Sequence, residues 1–301
     1  MNVAAELLDR ARAGGAHSIA VVGTAKNVGK SVTIGALADE LARRREPFGL
    51  CSIGRDGEAV DALVGTPKPR FALRAGTLVA TAATLVPQSP AFELVAATGE
   101  RCALGAIVIA RVRAPAVVEI AGPPQASALR RVVAHLRAHV PFVLVDGAID
   151  RVAALRDGDD AIVVATGAAA ATAMSAAVDA AAALVARLAL PLAGGHAAGA
   201  TEIAGALTAR AAADHARAFG RSRPLVVADP TRVTFGGPTL LALLPRLDLR
   251  VRRTLRPIAC TVASIGTERA FPPRAFACAV AEATGLPTYD VYAQAFAQAR
   301  A

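Results

Sequence analysis

Residues 21–34, VVGTAKNVGKSVTI, constrain the fold more than any other stretch of this chain. Residues 18–22 form a largely apolar, β-branched run, the pattern of a buried strand. Gly23 and Gly29 bracket a loop. From Ser31 onward, Ile34, Leu37 and Leu41 recur on one helical face, with Asp39, Glu40, Arg43 and Arg44 on the other. Strand, glycine loop, Gly-Lys-Ser and helix in that order specify a phosphate-binding loop. Backbone N–H groups from Gly23, Thr24, Ala25, Lys26, Asn27, Val28 and Gly29, together with the helix N-terminus, can turn toward phosphate oxygens. Lys30 can reach the β- and γ-phosphates, and the Ser31 hydroxyl can ligate Mg²⁺. ATP and Mg²⁺ are the expected ligands. Five residues, not the commoner four, separate Gly23 from Gly29.

Lysine usage sharpens this reading. The chain has 33 basic residues, yet lysine occurs only at positions 26, 30 and 68. Where a solvated charge suffices, this sequence uses arginine. A retained lysine suggests a compact ammonium in a confined place. Phosphate chemistry accounts for Lys30. Lys26 either adds charge at the γ-phosphate end or points to solvent from the rim of the loop.

A nucleotide site also needs carboxylates to hold Mg²⁺ and water. Three candidates sit at expected strand ends, where open parallel sheets place ligands. Asp56 follows a strand over residues 48–53, with Arg55 beside it as a phosphate contact. Glu119 lies inside the apolar run VVEIAGP, where an unpaired carboxylate is costly, so a cation or an arginine is its expected partner. Asp146 ends FVLVD, four apolar residues followed by an acid. Asp56 and Glu119 rank ahead of Asp146. Lys68, between two prolines, either grips an acidic group or sits on a stiff exposed turn. His135 and His139 are four apart on an expected helix, but arginines surround them, so they read as a solvent-facing stripe.

Strand-like runs at 18–22, 48–53, 105–110, 116–120, 142–145 and 161–165 alternate with helical patterns at 31–44, 125–138 and 170–188. This indicates an α/β fold with a mainly parallel sheet and flanking helices. The expected organisation is a nucleotide-binding domain over residues 1–190, a glycine-rich linker at 191–200 and a C-terminal α/β region at 201–301. That last region either extends the first sheet or makes its own. Within it, helices are expected at 202–219, 239–244 and 274–283, and strands at 225–228, 256–263 and 288–292. Residues 161–178 carry no charge, but alanine, glycine and threonine dominate, so strand, turn and buried helix fit better than a membrane span. The four cysteines form no CxxC pair, and Cys51 and Cys260 lie in apolar stretches as buried thiols, consistent with a reducing cytoplasm. The net charge of +9 comes with only 4% aromatic residues and no Trp. Stacking platforms for nucleic acid are therefore poor, and a basic surface meeting water or an acidic protein is the better reading.

The loop's Gly-Thr-x-x-x-Val-Gly-Lys-Ser resembles that of dethiobiotin synthetase and its relatives, a branch of the P-loop NTPases. Further stretches widen the likeness: CSIGRDGEAVDALVGTPKPR, GTLVATA, GAIVIARV, VVEIAGP, LVDGAIDR and ATGA, in this order. Together they resemble the reactivase subunit of lysine 5,6-aminomutase over residues 17–190, and more loosely at PTYDVY beyond. The resemblance implies an ATP-binding chaperone, a P-loop NTP hydrolase working with a MutS-like ATPase subunit. Its client would be an adenosylcobalamin-dependent aminomutase, and ATP would drive release of damaged cobalamin. The chain lacks a cobalamin-ligand motif such as Asp-x-His-x-x-Gly, so the client would hold the cobalamin. The alternative is a dethiobiotin-synthetase-like kinase or ligase acting on a small carboxylate. Whether hydrolysis occurs in this chain or its partner, and whether the chain pairs with a second copy, both stay open at this point.

Overall fold

In the computed structural model, which describes residues 2–53, 70–147, 160–194 and 199–293, the alternation of apolar residues along a few buried strands sets the architecture. In strand β1 (Ser18–Gly23) every residue is buried. Ile19 and Val21 pack into one core and Ala20 and Val22 into another, as the two-residue period of a strand requires. The first core receives helix α1 (Val3–Ala13) and helix α2 (Lys30–Arg43) through Leu7, Ile34, Leu37 and Leu41. The second receives helices on the opposite face.

The chain continues through β2 (Phe48–Ser52), β3 (Arg70–Leu73), β4 (Leu78–Ala82), β5 (Phe92–Cys102), β6 (Gly105–Val112) and β7 (Ala116–Glu119). Then come α3 (Ala126–Arg137), β8 (Phe142–Asp146), β9 (Asp160–Gly167), α4 (Met174–Leu188), β10 (Thr201–Ile203) and α5 (Ala209–Phe219). The rest comprises β11 (Leu225–Val227), α6 (Gly237–Leu243), β12 (Leu249–Val251), β13 (Arg256–Ala263), α7 (Pro273–Thr284) and β14 (Thr288–Asp290). Helices α3, α4 and α7 cover the second face through Leu129, Leu136, Leu184 and Phe276.

Among the described residues the central sheet has nine strands in the order β14-β13-β9-β1-β8-β2-β4-β6-β5. The pairings from β14 to β4 are parallel, and β6 and β5 close one edge as an antiparallel pair. The protein is thus α/β, with a mostly parallel central sheet and flanking helices. The C-terminal third divides. Strands β10, β11 and β12 form a separate three-stranded parallel sheet over its own core, centred on Leu225, Val227, Leu240 and Leu249. Strands β13 and β14 then return to the central sheet.

Two sequence expectations need correction. Residues 202–219 are not one helix. Leu207 N–H bonds to Arg232 O and keeps the chain extended, and Thr208 then caps α5, its side chain accepting from Ala211 N–H. Residues 116–120 do not join the parallel sheet either. Strand β7 pairs antiparallel with β3 in a two-stranded ladder, Arg70 opposite Glu119. Residues 161–178 do resolve into strand, turn and helix. Among the described residues no helix is long and apolar enough to cross a membrane.

Candidate functional site

The loop between β1 and α2 is tied down at both ends. Thr24 N–H donates to Ala165 O (2.9 Å), and Thr24 Oγ1 lies 3.0 Å from Thr166 Oγ1 on the neighbouring β9. Val28 is fully buried in the core shared with α2. Gly29 caps α2 at φ +87°, and a Cβ there would meet Val291 and Ala263 at 3.2–3.3 Å. The backbone conformation disfavours any other residue, and a Cβ would also press on these two side chains. Asn27, at φ +58°, takes the other left-handed position, which asparagine tolerates better than most residues. Thr33 Oγ1 lies 3.1 Å from both Gly29 O and Thr261 Oγ1, fixing the first turn of α2 against β13. The N-terminal N–H groups of α2 therefore open at the carboxyl edge of the sheet, a geometry suited to an anion.

Lys30 and Asp146 are the two charged groups whose surroundings this loop and the end of β8 shape. Lys30 folds inward, and its Nζ donates to Ala25 O at 2.9 Å. Burial pushes its ammonium below the usual lysine range, and Asp146 opposes that shift. Asp146 ends β8, which lies between β1 and β2, so Asp146 stands opposite Val21 and Ser52. Its backbone is fixed by Ile53 N–H donating to Asp146 O (3.0 Å) and Gly147 N–H donating to Val21 O (2.9 Å). The carboxyl is desolvated and pushed up to about 6, with Lys30 pulling the other way. Burial thus works against the charge of both groups, while each supports the charge of the other.

Glu119 follows a different path. Strand β7 carries it beside Arg70, whose Nε is 3.8 Å from Glu119 Oε2, supplying the arginine partner that the sequence calls for. Its carbonyl accepts from Thr81 Oγ1 at 3.1 Å, and Ala121 N–H donates to the same hydroxyl at 3.0 Å. Three residues on, Gly122 presses on the end of β2: a Cβ there would lie 1.6 Å from Ser52 O. The VVEIAGP segment therefore passes over the carboxyl edge next to Asp146's strand. Arg55, Asp56 and Lys68 lie outside the described residues. His135 and His139 are exposed. Among the described residues no three His, Cys, Asp or Glu side chains gather as a metal site. Mg²⁺ does not need such a cluster, since it is commonly held by one or two carboxylates plus phosphate oxygens and keeps several waters. Ser31 on the first turn of α2, with Asp146 coupled to Lys30, fits that requirement. All four cysteines are free thiols; Cys51 and Cys260 are buried, and burial pushes Cys260 up to about 11.

Two cavities flank the loop. The smaller, about 230 Å³, is bounded by Ala25, Lys26 and Asn27 on one side and by Ala168, Glu268 and Arg269 on the other. The larger, about 760 Å³, starts at Ser31 and runs along α2 past Gly35 and Asp39, with Arg70, Arg74 and Val117 as its opposite wall. Sequence reasoning did not find this groove. Its signal was the four-residue spacing of Ser31, Gly35 and Asp39, which places them on one helical stripe. The 267–269 segment was missed because β13 reaches the loop only through its place in the sheet.

No family model, no curated protein and no solved structure matches the chain.

Proposed function

We propose that this chain is a P-loop NTPase that binds ATP–Mg²⁺ between β1 and α2 and serves as the ATP-binding subunit of a reactivating chaperone. The observation that carries the nucleotide reading is Lys30, held inward on Ala25 O at a glycine-capped helix N-terminus on the carboxyl edge of the sheet. In this reading the loop N–H groups and Lys30 hold the phosphates, and Ser31 and Asp146 hold Mg²⁺, which supplies charge neutralisation for phosphoryl transfer. Asp56 and Glu119 remain the further carboxylates, Arg55 a further phosphate contact. Lys26, on the wall of the smaller cavity, supplies charge as the phosphoryl group leaves.

The client assignment rests on the resemblance across residues 17–190: an adenosylcobalamin-dependent aminomutase of the lysine 5,6 type, served with a MutS-like partner subunit in the cytoplasm. The test combines an aminomutase carrying inactivated cobalamin with the MutS-like subunit, this chain and ATP–Mg²⁺, and follows cobalamin release by absorbance. Release that requires both ATP and this chain is the expected result. A second reading, an ATP-dependent kinase or ligase on a small carboxylate, is favoured by the groove that leads from Ser31 to Arg70 and Arg74. Hydrolysis that needs only a small carboxylate, with no cobalamin release, would select it.

A further inference from the structure

The small C-terminal sheet carries charge that its own fold does not use. Residues 201–253 contain nine arginines and four carboxylates. Each carboxylate is already engaged: Asp214 with Arg217, Glu202 with Arg252, Asp248 with Arg250 at 2.9 Å and Asp229 with Arg253 at 3.0 Å. Among the described residues five arginines are left without a carboxylate, a net excess comparable to half of the +9 of the whole chain. Three of them, Arg221, Arg223 and Arg246, are exposed on the two adjacent loops that lead into β11 and β12. Those loops are joined where Leu225 N–H donates to Asp248 O (2.9 Å).

Two of these arginines are held in place. Arg221 Nη1 donates to Leu247 O at 2.9 Å, on the loop that carries Arg246. Arg223 lies over the Phe219 ring, its Cζ 4.5 Å from the centroid. Its carbonyl is 2.9 Å from His215 Nε2, and Ser222 Oγ donates to Phe219 O at 2.6 Å. The loop is therefore braced, and its guanidinium groups lose little freedom when they bind. A planar fork held this way suits carboxylates or phosphates.

The aromatic content decides between them. Phe219 is the one exposed large aromatic of this patch, and Arg223 and His215 already pack on it, the His215 ring centroid at 5.1 Å. The patch thus offers one partly covered ring, whereas sequence-tolerant nucleic-acid surfaces rely on several rings that stack successive bases. We propose that the Arg221–Arg223–Arg246 face is a docking surface for an acidic segment of a protein partner. This names the kind of partner for the accessory-subunit reading, but it stands on surface charge and does not depend on nucleotide binding.

The test uses the full chain and two fluorescent probes, an octaglutamate peptide and an eight-residue oligothymidylate, read by anisotropy at low and physiological salt. One variant combines Arg221→Gln, Arg223→Gln and Arg246→Gln. A control removes equal charge elsewhere through Arg101→Gln, Arg113→Gln and Arg130→Gln. The peptide is expected to lose affinity about tenfold or more in the first variant and less than about threefold in the control, since three fixed charges are lost only in the first. Unchanged thermal unfolding in both variants shows that they are folded, and because this check needs no nucleotide, the outcome stands apart from any failure of the nucleotide reading. Equal losses in the two variants would reduce the effect to the general basicity of the chain and overturn the proposal. So would tighter binding of the oligothymidylate through the same three arginines, or no peptide binding by the wild type.

Discussion

Asp146 shows how one residue's surroundings set both its cost and its use. The strand that delivers it is apolar and buried, and its own side chain sits half-buried at the sheet edge, where it loses part of its water. Its affinity for protons rises, to about 6 from the ordinary aspartate value. In the unfolded chain the same group ionises near the model-peptide value of about 3.9. Between these values the folded state binds more protons than the unfolded state, so its contribution to stability falls as pH rises through that window. Asp146→Asn removes this dependence. Denaturant titrations at about pH 4 and pH 7 should therefore shift in favour of the variant at the higher pH, relative to wild type. An unchanged or opposite shift would show that the carboxyl is not desolvated. A cation bound there would compensate for the lost water, which is why the costly residue suits a Mg²⁺ site.

At the scale of elements, legibility followed burial. Strands β1, β2, β8 and β9 were readable because they are buried on both faces and appear as continuous apolar runs. Strand β5 was not, because it lies at the sheet edge with mostly half-buried side chains and Gly99 near its end. Strands β10 and β12 are three residues each, too short to show a period. The steric role of the glycine in VVEIAGP was not legible, because Ser52 is 70 residues away and meets it only in the fold. A Cβ at Gly122 must displace backbone, not a flexible side-chain tip. Gly122→Ala should destabilise the protein by at least about 2 kcal/mol in urea unfolding. A loss within about 0.5 kcal/mol, the range of neutral surface changes, would contradict the packing of this segment on β2.

Across the whole molecule, the fold gathers at one sheet edge what the sequence scatters. Gly29, Lys30 and Ser31 were legible together, because strand, loop and helix are contiguous. Asp146 was recognisable as a strand-end acid but ranked last of three. Only the strand order β9-β1-β8-β2 places it next to the loop, and order is set by packing that no local pattern records. The charge is divided as well. The glycine-capped loop between β1 and α2 sits on the nine-stranded sheet, while a concentrated basic excess sits on the small one, so the two candidate surfaces can be tested separately. The central claim is that Lys30 serves phosphate. Calorimetric titration of ATP–Mg²⁺ into wild type and Lys30→Ala, each checked for the same thermal unfolding, tests it most directly. The loop backbone stays in the variant while the ammonium is lost, so affinity should fall tenfold or more, about 1.4 kcal/mol. Equal affinity in the two proteins would contradict the claim.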